Sequence, residues 1–127
     1  MKRVLVVDDS ATMRKMVIAS LSAIRDVVFE QAVSGLDAIE RLTVSPIDLV
    51  VLDLNMPDVH GLEVLRFIRG QQQLQDLPVV VLTTRGDDDS RHAALGEGAT
   101  LYLTKPFLPG AIAAEVRPLL GVETPER

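Results

Sequence analysis

The sequence predicts an α/β domain, a doubly wound five-stranded parallel sheet with helices on both faces. Short apolar runs alternate five times with segments whose apolar residues recur at helical spacing, the pattern of strand–helix–strand units. The run Leu49-Val50-Val51-Leu52 is apolar at every position, as befits a strand covered on both faces. Polar residues gather where the apolar runs stop: Asp8-Asp9, Asp53, Thr83 and Lys105. In such folds the site lies outside the carboxyl ends of the strands.

The chain of 127 residues is long enough for one domain with a real core and too short for two. Hydrophobic residues make up 47%, so the chain is globular. With one Tyr, three Phe and no Trp, its core must be aliphatic. The absence of Cys excludes disulfides and thiolate zinc sites and fits the cytoplasm. No apolar run approaches the ~20 residues that cross a bilayer. The opening Met1-Lys2-Arg3 and its apolar run resemble a secretion signal until Asp8-Asp9 end the run too early. A net charge of −5 disfavours direct nucleic-acid binding, which needs a basic surface.

Lys2–Val7 reads as the first strand, closed by Asp8-Asp9-Ser10. Met13, Met16, Val17, Leu21 and Ile24 then mark a helix, capped by Asp9 or Ser10. Val27-Val28-Phe29 is a weaker second strand. Gly35 opens a second helix carrying Leu36, Ile39 and Leu42, and Pro46 ends it. Residues 47–52 form the central strand, and Met56 to Gly61 a loop. Leu62, Leu65 and Ile68 mark the third helix, and Pro78 opens a fourth strand over 79–82. Segment 85–98 is polar, and its apolar residues are mostly Ala. It predicts a helix held loosely to the sheet, with Asp87-Asp88-Asp89 at the end the helix dipole favours. A fifth strand over 100–103 leads into Thr104-Lys105-Pro106-Phe107. The last helix carries Leu108, Ile112, Val116 and Leu119, and Pro118 should kink or end it. The domain is expected over residues 1–121, with 122–127 a tail or linker stub.

A parallel sheet puts Asp8, Asp9, Asp53, Asn55, Thr83 and Lys105 on one rim. Two carboxylates ~5 Å apart at an effective dielectric of ~20 repel by roughly 3 kcal/mol. One lysine does not offset three such pairs, so either a carboxyl stays protonated or a divalent cation binds. An all-oxygen site with room for waters suits Mg²⁺, and Mn²⁺ can substitute. Such a rim, with a lysine and a hydroxyl beside it, is a phosphoryl-binding site in outline. An aspartate there can act as a nucleophile.

Val7-Asp8-Asp9-Ser10, Asp53-Leu54-Asn55-Met56-Pro57, Thr83 and Lys105-Pro106-Phe107 together resemble a receiver domain of a bacterial two-component response regulator. Met13-Arg14 after the acidic pair gives it the CheY-like, chemotaxis flavour. The likeness runs from Lys2 to about Leu120. It implies the flavodoxin-like strand order 2-1-3-4-5 and phosphorylation of Asp53. Asp9, Asp53 and the Asn55 carbonyl would bind Mg²⁺, with Asp8 acting through water. Lys105 would pair with Asp53 or a phosphoryl oxygen. Thr83 and Tyr102 would form the switch, the Tyr102 ring turning inward as Thr83 is drawn to the phosphate. The Lys105-Pro106 bond would be cis. The resemblance further implies a histidine kinase or phosphotransfer domain as donor. It implies a downstream effector or a covalently linked output domain as recipient, and a changed face formed by the fourth helix, fifth strand and fifth helix.

Two positions depart from the commoner pattern. Thr84 is bulkier than the usual Ala or Gly, and Arg85 is basic where an acid or amide is common. With Asn55 they should set access to the site and phosphate lifetime. Competing readings fit less well. A haloacid-dehalogenase-type phosphatase needs an acid two residues after its nucleophile, where this chain has Asn55. A flavin carrier needs a hydroxyl- and glycine-rich loop where this chain has Asp8-Asp9-Ser10. A degenerate receiver would lack key residues that are all present here. His60 and His92 read as solvated, and Gly61 as serving loop geometry.

Overall fold

The computed structural model describes residues 1–121; the expected tail, 122–127, lies outside the described residues. Along the chain come β1 (Lys2–Val7), α1 (Ala11–Leu21), β2 (Val27–Ala32), α2 (Gly35–Val44), β3 (Leu49–Leu52) and α3 (Gly61–Gly70). A 3₁₀ turn (Gln72–Leu74), which the sequence did not predict, precedes β4 (Val79–Thr83), α4 (Asp88–Gly96), β5 (Leu101–Thr104) and α5 (Pro109–Leu119). The sheet order is β2-β1-β3-β4-β5, and every pairing is parallel.

Period-two alternation along the strands divides the core into layers. Val4, Val6, Leu49, Val51, Val80 and Leu82 face α1 and α5, packing on Val17, Leu21, Ile112 and Val116. Leu5, Val7, Val50, Leu52 and Val79 face the opposite way, onto Ala38, Leu42, Val64, Leu65 and Ile68 of α2 and α3. Beneath α4 lies a small separate cluster of Leu54, Val81, Ala94 and Tyr102. Ala94 is the buried residue of α4, so the thin apolar face predicted for that helix has this physical form.

Element boundaries moved where side chains compete with the ladder. β3 starts at Leu49 rather than 47 because Asp48 fills the entrance. Its N–H donates to the Arg3 carbonyl (2.8 Å), and its carboxylate accepts the Arg3 N–H (2.8 Å). β2 runs on to Ala32 because Gln31 and Ala32 pair with Val6 and Val7, a gain of ladder bonds that local propensity does not announce. Ser10, not Asp9, caps α1, its hydroxyl accepting the Met13 N–H at 3.2 Å. α4 begins at Asp88, with the acidic run at its amino end as expected and Asp87 as its cap, accepting from the Ser90 N–H at 3.0 Å. Pro118 ends rather than kinks α5, which stops one residue later.

Candidate functional site

The ladder itself carries the polar residues to the carboxyl rim. Each sits one step beyond its strand or at its last residues and keeps a backbone bond to the neighbouring strand. The Asp8 N–H donates to the Ala32 carbonyl (3.2 Å), Asp53 to Val7 (3.0 Å) and Lys105 to Thr83 (2.8 Å). These bonds fix where the side chains start. Gly61 brings α3 hard against the same rim: a Cβ there would lie 2.6 Å from the Asp53 carbonyl oxygen and 2.7 Å from the Leu54 Cα.

The structure brings Asp8, Asp9 and Asp53 together, with one carboxylate oxygen from each within 4.8 Å of the others. Asp8 and Asp53 are buried and Asp9 is exposed. Lys105 reaches in from β5, nearer to Asp8 (2.8 Å to Oδ2) than to Asp53 (3.7 Å to Oδ1). The Asp8 carboxylate is also held by the Ser10 N–H at 2.9 Å. Asp53 Oδ1 is left with no hydrogen bond although it is buried. Burial pushes the Asp53 carboxyl above its ordinary range; Lys105 opposes that shift and Asp8 adds to it. Lysine's single charge is therefore divided between two carboxylates, and the oxygen left without a hydrogen bond is Oδ1 of the one at the end of the central strand.

Thr83, fully buried, accepts the Arg85 N–H at 3.4 Å. Over the rim lies a cover of side chains. The Arg85 guanidinium Nε donates to Asn55 Oδ1 at 2.6 Å, and the Asn55 amide donates to Thr84 Oγ1 at 3.3 Å. The Tyr102 ring lies inward, 7% exposed, and its hydroxyl donates to the Arg85 carbonyl. Burial raises the Tyr102 pKa and Asp87 adds to the rise. One backbone segment, 83–85, thus touches the rim, the cover and the Tyr102 hydroxyl together. The Lys105-Pro106 peptide bond is cis. His60 is not simply solvated: its Nδ1 accepts the Leu62 N–H at 3.1 Å and caps α3.

The residues present fit a hard divalent cation. Their donors are all oxygen, three carboxylates converge, and a buried carboxylate oxygen lacks a partner. Asp9 and Asp53 would hold the ion, with the Asn55 carbonyl, and Asp8 from further out.

Sequence reasoning missed two contacts that shape the rim. Asp58, in the loop after β3, supplements the Ser34 cap of α2 by accepting the Gly35 and Leu36 N–H groups at 3.2 and 3.1 Å. Arg14 donates to the Asp8 carbonyl. Neither has a periodic signal; Met13-Arg14 following the acidic pair one helical turn into α1 was the one hint.

The family profile of the response regulator receiver domain matches residues 4–117. A chemotaxis protein CheY homolog of Campylobacter jejuni is 31% identical over 98% of this chain and 96% of its own length. The response regulator MprA of Mycobacterium tuberculosis is 40% identical over 98% of this chain. This chain spans only 53% of MprA. Among solved structures, the Mn²⁺-bound form of the response regulator Rcp1 superposes with a TM-score of 0.85 at 29% identity, covering 100% of both chains. A family match across most of the chain, a relative of nearly equal length and the shared five-stranded architecture agree: the chain belongs to the response regulator receiver domains, and within them it is CheY-like.

Proposed function

We propose that this receiver domain is a phosphorylation switch of chemotaxis or motility type, with Asp53 as the phosphoryl acceptor. The observation that carries the reading is the buried, unbonded Asp53 Oδ1, 3.7 Å from the Lys105 ammonium and set among two other carboxylates. A carboxylate oxygen without hydrogen bonds is a free nucleophile. Transfer from a kinase phosphohistidine forms the Asp53 O–P bond and breaks the P–N bond, returning its electron pair to the imidazole. Lys105, already at the rim, is placed to neutralise a phosphoryl oxygen. Thr83 exchanges the long bond from the Arg85 N–H for one to the phosphoryl group, which pulls on segment 83–85 and so on Tyr102. A bound Mg²⁺, or Mn²⁺ as in the Rcp1 structure, would supply charge neutralisation and orientation of the phosphoryl oxygens.

Asn55, Thr84 and Arg85 form the cover over the rim, and we assign them control of access and phosphate lifetime. The protein catalyses only its own phosphorylation and slow dephosphorylation. Its donor is a histidine kinase or phosphotransfer domain in the cytoplasm. Its recipient, an effector protein or a linked output domain, reads the face of α4, β5 and α5. Residues 1–121 form the receiver unit.

Beryllofluoride with millimolar Mg²⁺, a phosphoryl mimic, tests the reading by NMR. Amide shifts are expected at Asp53, Thr83 and Tyr102, and none in Asp53→Asn. A wild-type spectrum that does not respond would overturn the assignment.

A further inference from the structure

Asp9 is the exposed member of the acidic trio, and among the described residues its side chain makes no hydrogen bond or ion pair. Asp8, by contrast, is gripped at both carboxylate oxygens, by Ser10 and Lys105. Asp9 is therefore aimed by the peptides on either side of it: the one to Ser10, whose N–H Asp8 holds and whose hydroxyl caps α1, and the one linking it to Asp8. That peptide has a side-chain partner. Arg14, one turn into α1, donates from Nη1 to the Asp8 carbonyl oxygen at 2.7 Å, and from Nε to Gln31 Oε1 at 2.9 Å. Gln31 pairs in register with Val6 on β1. A single guanidinium therefore ties the acidic loop to α1 on one side and to the edge strand β2 on the other.

We infer that Arg14 is a positioning residue for divalent-cation binding: it fixes the Asp8–Asp9 peptide and so aims the Asp9 carboxylate. The inference rests on the metal-binding reading of the acidic trio given above. The planar fork suits the task, since its two donors reach two acceptors at once, which an ammonium cannot do with the same rigidity. Its charge opposes its geometry here. As a bare cation near three carboxylates, Arg14 would weaken Mg²⁺ binding, whereas as a positioning group it strengthens binding. The sign of the mutational effect thus separates the two roles.

Isothermal titration of the metal-free protein with Mg²⁺ alone makes the test, on wild type, Arg14→Met and Arg14→Lys. Removing an outer-shell group that orients a ligand typically weakens metal binding by tenfold or more. The Arg14→Met variant should therefore bind Mg²⁺ roughly tenfold more weakly, at the lower end of that span. Arg14→Lys, which keeps the charge and can satisfy one acceptor, should fall between the two. Equal or tighter binding in both variants would overturn the positioning role. A purely structural Arg14 would lower the metal-free melting temperature and leave Mg²⁺ affinity unchanged, and that result also counts against it. A wild-type chain that binds no Mg²⁺ at millimolar concentration would remove the metal-binding reading itself, a failure distinct from unchanged affinity in the variants.

Discussion

Asp53 carries a charge where the fold least accommodates one. It is 5% exposed, Asp8 repels it, and the nearest cation is already engaged with Asp8 at 2.8 Å. Its carboxyl therefore holds its proton to a higher pH than a free aspartate. The folded state then binds more protons than the unfolded one between the unfolded pKa near 3.8 and the raised folded value. Stability falls as pH rises through that window, and the penalty is fully present above it. In a chelating buffer at neutral pH, Asp53→Asn should melt higher than wild type, by roughly 3–6 °C for about 1 kcal/mol. The difference should vanish in acid, below the ordinary aspartate range, where both states are protonated. Adding Mg²⁺ should raise the wild-type melting temperature and move the Asn variant less. A variant that melts no higher than wild type without metal would show that Lys105 already satisfies both carboxylates.

At the scale of elements, close approaches between backbones set the geometry of the rim. Gly61 starts α3 with its N–H on the Leu54 carbonyl at 3.2 Å, and a methyl group there meets backbone on two sides. Backbone has little room to yield, so Gly61→Ala should cost about 1–3 kcal/mol in urea unfolding. Gly70, the last residue of the same helix, is open: a Cβ added there would meet nothing within 4 Å. Gly70→Ala should be neutral or stabilising, by up to about 1 kcal/mol. A Gly61→Ala variant as stable as Gly70→Ala would mean that helix propensity, not the close approach to Asp53 and Leu54, governs the site. The sequence showed Gly61 only as a loop residue, because a contact between the two ends of a loop has no periodic trace. It showed strands by their apolar runs and the start of α4 by its three aspartates, and it misplaced the start of β3, where Asp48 intervenes. The acidic trio was legible because strand ends in a parallel sheet share a rim. The division of Lys105 between Asp8 and Asp53 was not, since a difference of 0.9 Å, from 2.8 to 3.7 Å, depends on how β1, β3 and β5 come together.

For the whole molecule, the two ends of α4 are held unequally, and this decides how a local event can spread. At its carboxyl end Arg66 pairs with Glu97 at 2.9 Å. Arg69 donates to the carbonyls of Gly98 (2.9 Å) and Leu77 (2.7 Å), and to Thr100 Oγ1 at 3.5 Å. Gly98, with φ of +104°, lies so close that a Cβ would meet the Arg69 side chain at 2.9 Å. At the amino end Asp87 and Ser90 bond each other, and the adjoining segment 83–85 is the one that reaches the site. Between the ends, Ala94 is the single buried residue of the helix. A helix pinned at one end and weakly packed along its length responds to a pull at the other end by pivoting. Hydrogen exchange with Mg²⁺, with and without beryllofluoride, should therefore show changed protection over residues 84–90 and little change over 95–100. Arg69→Met releases carbonyls from their donor, so the change should then spread into 95–100. A response confined to 95–100 in wild type, or one uniform along α4, would refute the pivot.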